Sequence, residues 1–220
     1  MKKSYFKILR EDEIHNGLKF KTGRNEDPNA ADLRSTPSCA AGAIYYVSAD
    51  HITDWMRVGP WIREVTLPRG RHHVEDPGGG KYRSHCVILG VKKPWAELKT
   101  MKWLVEKGAK NLDACAQYAA RAGHLDTVRW LVEKGAKNLD ACAQEAAWAG
   151  HLDTVRWLVE KGAKNLDACA QYAARAGHWD TVRWLVEKGA KNLDACAQEA
   201  ARAGHWDTVR WLKDKLASGS

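Results

Sequence analysis

The chain has 220 residues, with 35 basic and 27 acidic side chains and a formal charge of +8. Its 45% apolar and 28% charged composition is that of a globular chain and excludes a disordered one. No stretch approaches the ~18 apolar residues of a membrane span, and the opening MKKSYFKILRED lacks the apolar core of a secretion signal, so membrane-spanning and secreted classes are not expected. One imbalance stands out, eleven Trp against two Phe.

Residues 1–93 read as a small α+β domain. YFKIL, GLKFK, AIYYV, WIREVTL and HCVILGV have the composition of short strands between Gly- and Pro-bearing turns. Ser48 followed by ADHITDWM predicts a capped helix with Ile52, Trp55 and Met56 on one side. Chemistry-bearing residues are present, but none forms a recognisable motif. Cys39, His72, His73, His85 and Cys86 have no zinc spacing. GGGK at 78–81 lacks the Ser or Thr of a phosphate loop, and Asp76-Pro77 reads as a hairpin turn. A catalytic role would fall to Glu64 or His15, with no matched partner at readable spacing. No cofactor, no metal and no enzymatic activity are expected.

Residues 94–220 are repetitive. Trp103, Trp130, Trp157, Trp184 and Trp211 recur every 27 residues, and the unit LDACAQYAARAGHLDTVRWLVEKGAKN begins at Leu112, Leu139, Leu166 and Leu193. A half-repeat occupies 98–111, full repeats 112–138, 139–165, 166–192 and 193–216, and the last one ends in a polar cap, WLKDKL. Each unit predicts two short helices. Asn111 can cap the first, with Asp113 in its first turn, and Gly123 closes it. Cys115, Ala116, Ala119 and Ala120 share one small-residue face, while Leu125, Val128, Leu131 and Val132 form the stripe of the second helix. Helices this short are marginal alone and must stack into a solenoid. The cysteines then sit one per stacked unit, ~8–10 Å apart, too far for disulfides, and read as buried thiols. His124 and its equivalents read as turn residues bonded to local backbone.

The segment AARAGHLDTVRWLVEKGAKN resembles the ankyrin repeat. Ala114, Cys115, Ala116 and Gln117 replace its usual Thr-Pro-Leu-His, and the unit is shorter than the common repeat of about 33 residues. The resemblance implies an all-α array of helix–turn–helix units without β-hairpin fingers. EIHNGLKFKTGRNEDP, SCAAGAIYYV, VGPWIREVTLP and DPGGGKYRSHCVILG resemble, in order and spacing, the N-terminal domain of mimivirus-type ankyrin-repeat proteins. That resemblance implies an intracellular protein acting in host cytoplasm, with the nucleus as a second compartment.

Apart from the terminal tail, the four full copies differ at three positions. These are Tyr118, Glu145, Tyr172 and Glu199; then Arg121, Trp148, Arg175 and Arg202; then Leu125, Leu152, Trp179 and Trp206. The changes cluster, and Tyr, Trp and Arg dominate binding hot spots. These twelve residues are therefore expected to form a variable binding surface for a protein partner, most naturally a host protein. Two readings compete with that one. Basic residues along the solenoid would serve nucleic-acid binding, but the repeats carry only 19 basic against 16 acidic side chains. Identical faces would also serve head-to-tail self-association. No membrane contact is expected.

Overall fold

The computed structural model describes residues 3–29, 32–34, 41–77 and 79–218. Cys39 and Gly78 lie outside the described residues. The chain forms two compact units, residues 1–111 and 112–220.

Unit 1 is built on an antiparallel sheet. Its strands are β1 (Tyr5–Leu9), β4 (Gly23–Glu26), β5 (Ile44–Ser48), β6 (Trp61–Thr66), β7 (Val74–Glu75), β8 (Lys81–Ser84), β9 (Cys86–Leu89) and β10 (Lys93–Pro94), in the order β4-β9-β6-β1-β5-β8-β7, with β10 also on β6. A separate hairpin, β2 (Ile14–His15) and β3 (Leu18–Lys19), turns at Asn16-Gly17, whose φ values of 51° and 77° are those of a two-residue type I′ turn. One sheet face carries the core cluster of Leu9, Ile44, Tyr46, Val65, Tyr82, Val87 and Leu89, closed by Phe20. On the other face Phe6 meets the edge of Trp103, with ring centres 5.2 Å apart. Trp103 belongs to α1 (Leu98–Glu106), so the half-repeat helix lies within this unit. The ADHITDWMRV segment forms a 3-10 helix over Ala49–Val58 rather than an α-helix. Ile52 and Met56 are buried as expected, but the Ser48 hydroxyl makes no cap bond and donates instead to Gly80 O at 3.4 Å.

β9 and β10 run along the same edge of β6 with one residue inserted between them. Val65 pairs Leu89 and Ile62 pairs Lys93, so three steps on β6 oppose four on the other side. The resulting bulge aims Gly90 O at Arg63, which is buried on β6. Arg63 Nη1 donates to Gly90 O and Thr22 Oγ1, both at 2.8 Å, while Nε and Nη2 donate to Glu13 Oε2 at 2.9 and 2.8 Å. Burial opposes ionisation of Glu13, but hydrogen bonds from Lys92 and Arg63 hold its carboxyl below the usual range.

Unit 2 is all helical in its described residues. Four helix pairs follow, α2/α3 (Leu112–Arg121, Leu125–Glu133), α4/α5 (Leu139–Trp148, Leu152–Glu160), α6/α7 (Leu166–Ala176, Trp179–Glu187) and α8/α9 (Leu193–Arg202, Trp206–Ala217). First helices stack on first helices through their Cys and Ala faces, and each second helix packs on its own partner. The connections between units, such as Lys134–Asn138, contain no strand, so the fingers are absent among the described residues.

Polar bonds hold successive units in register. Asp140 Oδ1 accepts from the backbone of the next loop, from Lys164 N at 2.6 Å and Asn165 N at 3.0 Å, and Asp113 and Asp167 do the same one unit away. Asn138, Asn165 and Asn192 cap the first helices through Oδ1 to Ala141 N, Ala168 N and Ala195 N. The repeat histidine reaches back a whole unit instead of bonding locally. His151 Nε2 meets Arg121 O at 3.1 Å, and His178 Nε2 meets Trp148 O at 3.0 Å. Its ring lies on the glycine of the preceding unit, where a Cβ on Gly150 would come within 2.5 Å of His178 Nδ1. Gly150 also has φ +80°, so it is required by backbone conformation and by its neighbour.

Two outcomes follow for the array. Gly150→Ala should cost about 2–4 kcal/mol in urea unfolding, from a left-handed backbone and a close contact. Adding His178→Ala should relieve the contact but not the backbone part, so a single substitution that unfolds like wild type contradicts this packing. Burial pushes the thiols of Cys115, Cys142, Cys169 and Cys196 up to about 12. A thiol reagent at pH 8, followed by peptide mass mapping, should therefore label these four only after unfolding.

Candidate interaction surface of the repeats

The varying positions occupy the C-terminal half of each first helix and the start of each second helix. Among them, Trp148 is 40% exposed, Tyr172 43% and Trp206 63%, well above the buried framework around them. Arg121, Arg175 and Arg202 are exposed beside them. Tyr118, Leu125, Glu145, Leu152, Trp179 and Glu199 are half-buried. The twelve residues thus share one region of the array, but they do not present equal surface.

The first two varying positions touch each other across successive units. Arg121 Nη1 pairs with Glu145 Oε2 at 3.4 Å, and its guanidinium lies 4.1 Å from the centre of the Trp148 ring. Arg175 Nε pairs with Glu199 Oε2 at 3.9 Å, and Arg202 Nη1 reaches the same carboxylate at 2.6 Å. A unit ending its first helix in Arg is followed by one carrying Glu, while Trp148 is followed by Tyr172. The alternation is therefore partly a matter of neighbour pairing, and periodicity within one unit cannot reveal it. These ion pairs are exposed and each contributes under about 1 kcal/mol.

The third position differs in kind. Trp179 packs edge-on against Trp211, with ring centres 4.8 Å apart. Trp179, Trp206 and Trp211, with Asp207, Arg210 and Asp214, line a surface hollow of about 730 Å³. The framework residues Trp157 and Trp184 are half-buried and covered by cations. Arg129 stands 5.7 Å from Trp157 and Arg156 stands 5.8 Å from Trp184, each from the preceding unit.

Two of the residues singled out in unit 1 are held by neighbours. Glu64 is tied to Lys107 Nζ at 2.8 Å. Asp76 N donates to Lys81 O at 2.8 Å and closes the turn between β7 and β8. Among the described residues, no three His, Cys, Asp or Glu side chains converge on a metal-sized site. No helix, among those residues, is long and apolar enough to cross a membrane.

Comparison with known proteins agrees with this geometry. Residues 94–168 and 145–219 match the family described as ankyrin repeats in three copies. An ankyrin repeat protein of Acanthamoeba polyphaga mimivirus is 31% identical over 128 residues, covering 56% of this chain and 64% of the relative. An uncharacterized protein of the same virus is 29% identical over 113 residues, covering 48% of this chain and 78% of its own. A further ankyrin repeat protein of that virus is 33% identical over 97 residues, covering 40% and 32%. The chain spans less than two thirds of the length of the first of these relatives. Ankyrin repeats are in general protein-interaction modules. Stacked helix pairs with glycine-closed turns, the family match over the repeats and the viral relatives converge, and the chain belongs to the ankyrin-repeat family.

Proposed function

We propose that the array is a non-enzymatic scaffold that binds a protein partner through its varying positions. One observation carries this reading. Trp148, Tyr172 and Trp206 remain exposed, flanked by arginines, on a framework whose register is set by other residues. A large aromatic side chain left in water is an unused hydrophobic contact, and such residues beside Arg anchor protein interfaces. The hollow bordered by Trp179 and Trp206 would take an apolar partner side chain, with Arg210, Asp207 and Asp214 at its polar rim. The partner is proposed to be a host-cell protein, since the relatives belong to a virus of Acanthamoeba, and the site of action the host cytoplasm.

The triple variant Trp148→Ala, Tyr172→Ala, Trp206→Ala tests the surface. Stability should change by under about 1 kcal/mol per site in urea unfolding, because these side chains are exposed. Capture of a defined partner from Acanthamoeba lysate, read by quantitative mass spectrometry, should fall at least about tenfold, the loss of one modest hot spot. Capture that survives the triple variant overturns the assignment of this surface. Capture that persists only through nucleic acid, lost on nuclease treatment and falling steeply with salt, would replace protein binding with phosphate binding.

A further inference from the structure

The sheet of unit 1 divides at one place. β1 stays paired with β6 from Tyr5↔Val65 to Leu9↔Trp61, and β5 stays paired with β8 from Ile44↔Ser84 to Val47↔Lys81. Between β1 and β5 the ladder consists of Tyr5↔Ser48 and Phe6↔Val47 alone, so beyond Phe6 the two strands part. Parting central strands gives up ladder hydrogen bonds, which a sheet otherwise keeps. The gap opens into a cavity of about 160 Å³, walled by residues 6–10 and 45–47, by Trp55 and Val58 of the 3-10 helix, and by His15 and Lys81.

The walls are both aromatic and basic. Lys7 Nζ donates to Tyr45 O at 2.9 Å. Lys81 Nζ stands 4.6 Å from the centre of the Tyr45 ring and 5.1 Å from that of Trp55, and is held there by Asp76 Oδ2 at 3.3 Å. Lys7, Arg10, His15 and Lys81 all line the cavity, and among the described residues no Asp or Glu does. Burial, then repulsion from Lys7, Arg10 and Lys81, holds the His15 imidazole below its ordinary range, so the ring is mainly neutral at pH 7 in a positive field.

We propose that this cleft binds a small organic anion carrying a single flat ring, an aromatic carboxylate. The volume sets the size. A cavity of about 150 Å³ holds a benzene ring, whereas larger ligands such as nucleotides need about 300 Å³ or more. Phe6, Ile8, Val47 and the remaining surface of Tyr45 and Trp55 supply the apolar wall for the ring, and the basic wall supplies charge-assisted contacts for the carboxylate. Arg10, exposed at the mouth, draws the anion in from solvent.

The test is an NMR titration of the full chain with benzoate, benzyl alcohol and inorganic phosphate. Benzoate should give saturable shifts confined to His15, Tyr45–Val47 and Trp55. It should also raise the pKa of His15, because a carboxylate offsets the repulsion from Lys7, Arg10 and Lys81; its affinity should accordingly increase as pH falls toward 6. Benzyl alcohol, with the same ring and no charge, should bind about tenfold more weakly. Arg10→Gln should weaken benzoate severalfold, and Val58→Trp at the rim should abolish its binding; both sites are exposed, so neither change disturbs the sheet. The proposal fails if benzoate shows no saturation by about 10 mM, if benzyl alcohol binds equally well, or if phosphate reproduces the same shifts at the same concentration.

Discussion

The array depends on the contacts that His151, His178 and His205 make with the unit before them. A 27-residue unit has two helices of roughly nine to twelve residues, neither stable alone. Without projecting fingers, the connections cannot pair with one another as strands. Their backbone groups must be satisfied by side chains, and three residues per unit do this. The Asp takes two loop N–H groups of the next unit, the Asn caps the next helix, and the His takes a carbonyl of the unit behind. The glycine under the imidazole follows from that contact, since any Cβ would displace the ring.

This arrangement frees the rest of the surface. Because register is held by Asp, Asn, His and buried Ala and Cys, the positions represented by Tyr118, Arg121 and Leu125 can change without loss of the stack. They are still not independent of one another. Arg121 faces Glu145 and Trp148, so a change in one unit alters the environment of the next. A surface that varies in coupled pairs keeps its charge balanced while its shape changes.

Unit 1 solves a different problem, the burial of charge in a small sheet. Arg63 is satisfied by Glu13, Thr22 and a bulge carbonyl, and Lys81 and Arg83 lie 3.3 and 3.4 Å from Asp76. Isolated buried ions would be prohibitive, whereas paired and hydrogen-bonded ones are tolerated. This explains why β8, KYRS, is fully buried although its composition reads as surface, and why β4, GRNE, carries no apolar alternation. Strand prediction rests on hydrophobic periodicity, and these strands keep their place by ion pairing and ladder bonds instead.

By itself, the sequence determined the repeat, its two-helix unit and the small-residue stacking face, each from local spacing that is copied and therefore amplified, while the family and the missing fingers came from the resemblance of that unit to the ankyrin repeat. The β-rich start was legible where β-branched and aromatic residues cluster, at YFKIL, AIYYV and WIREV. Only the tertiary structure decided what lies between elements distant in the chain. It joined His178 to Gly150 and Trp148, paired Arg121 with Glu145, turned the ADHITDWM segment into a 3-10 helix under the sheet, and parted β1 from β5. For the pairings the physical reason is the same: spacing in the chain shows which residues recur but not which of them meet, so contacts between residues tens of positions apart become visible only when the partners are folded together.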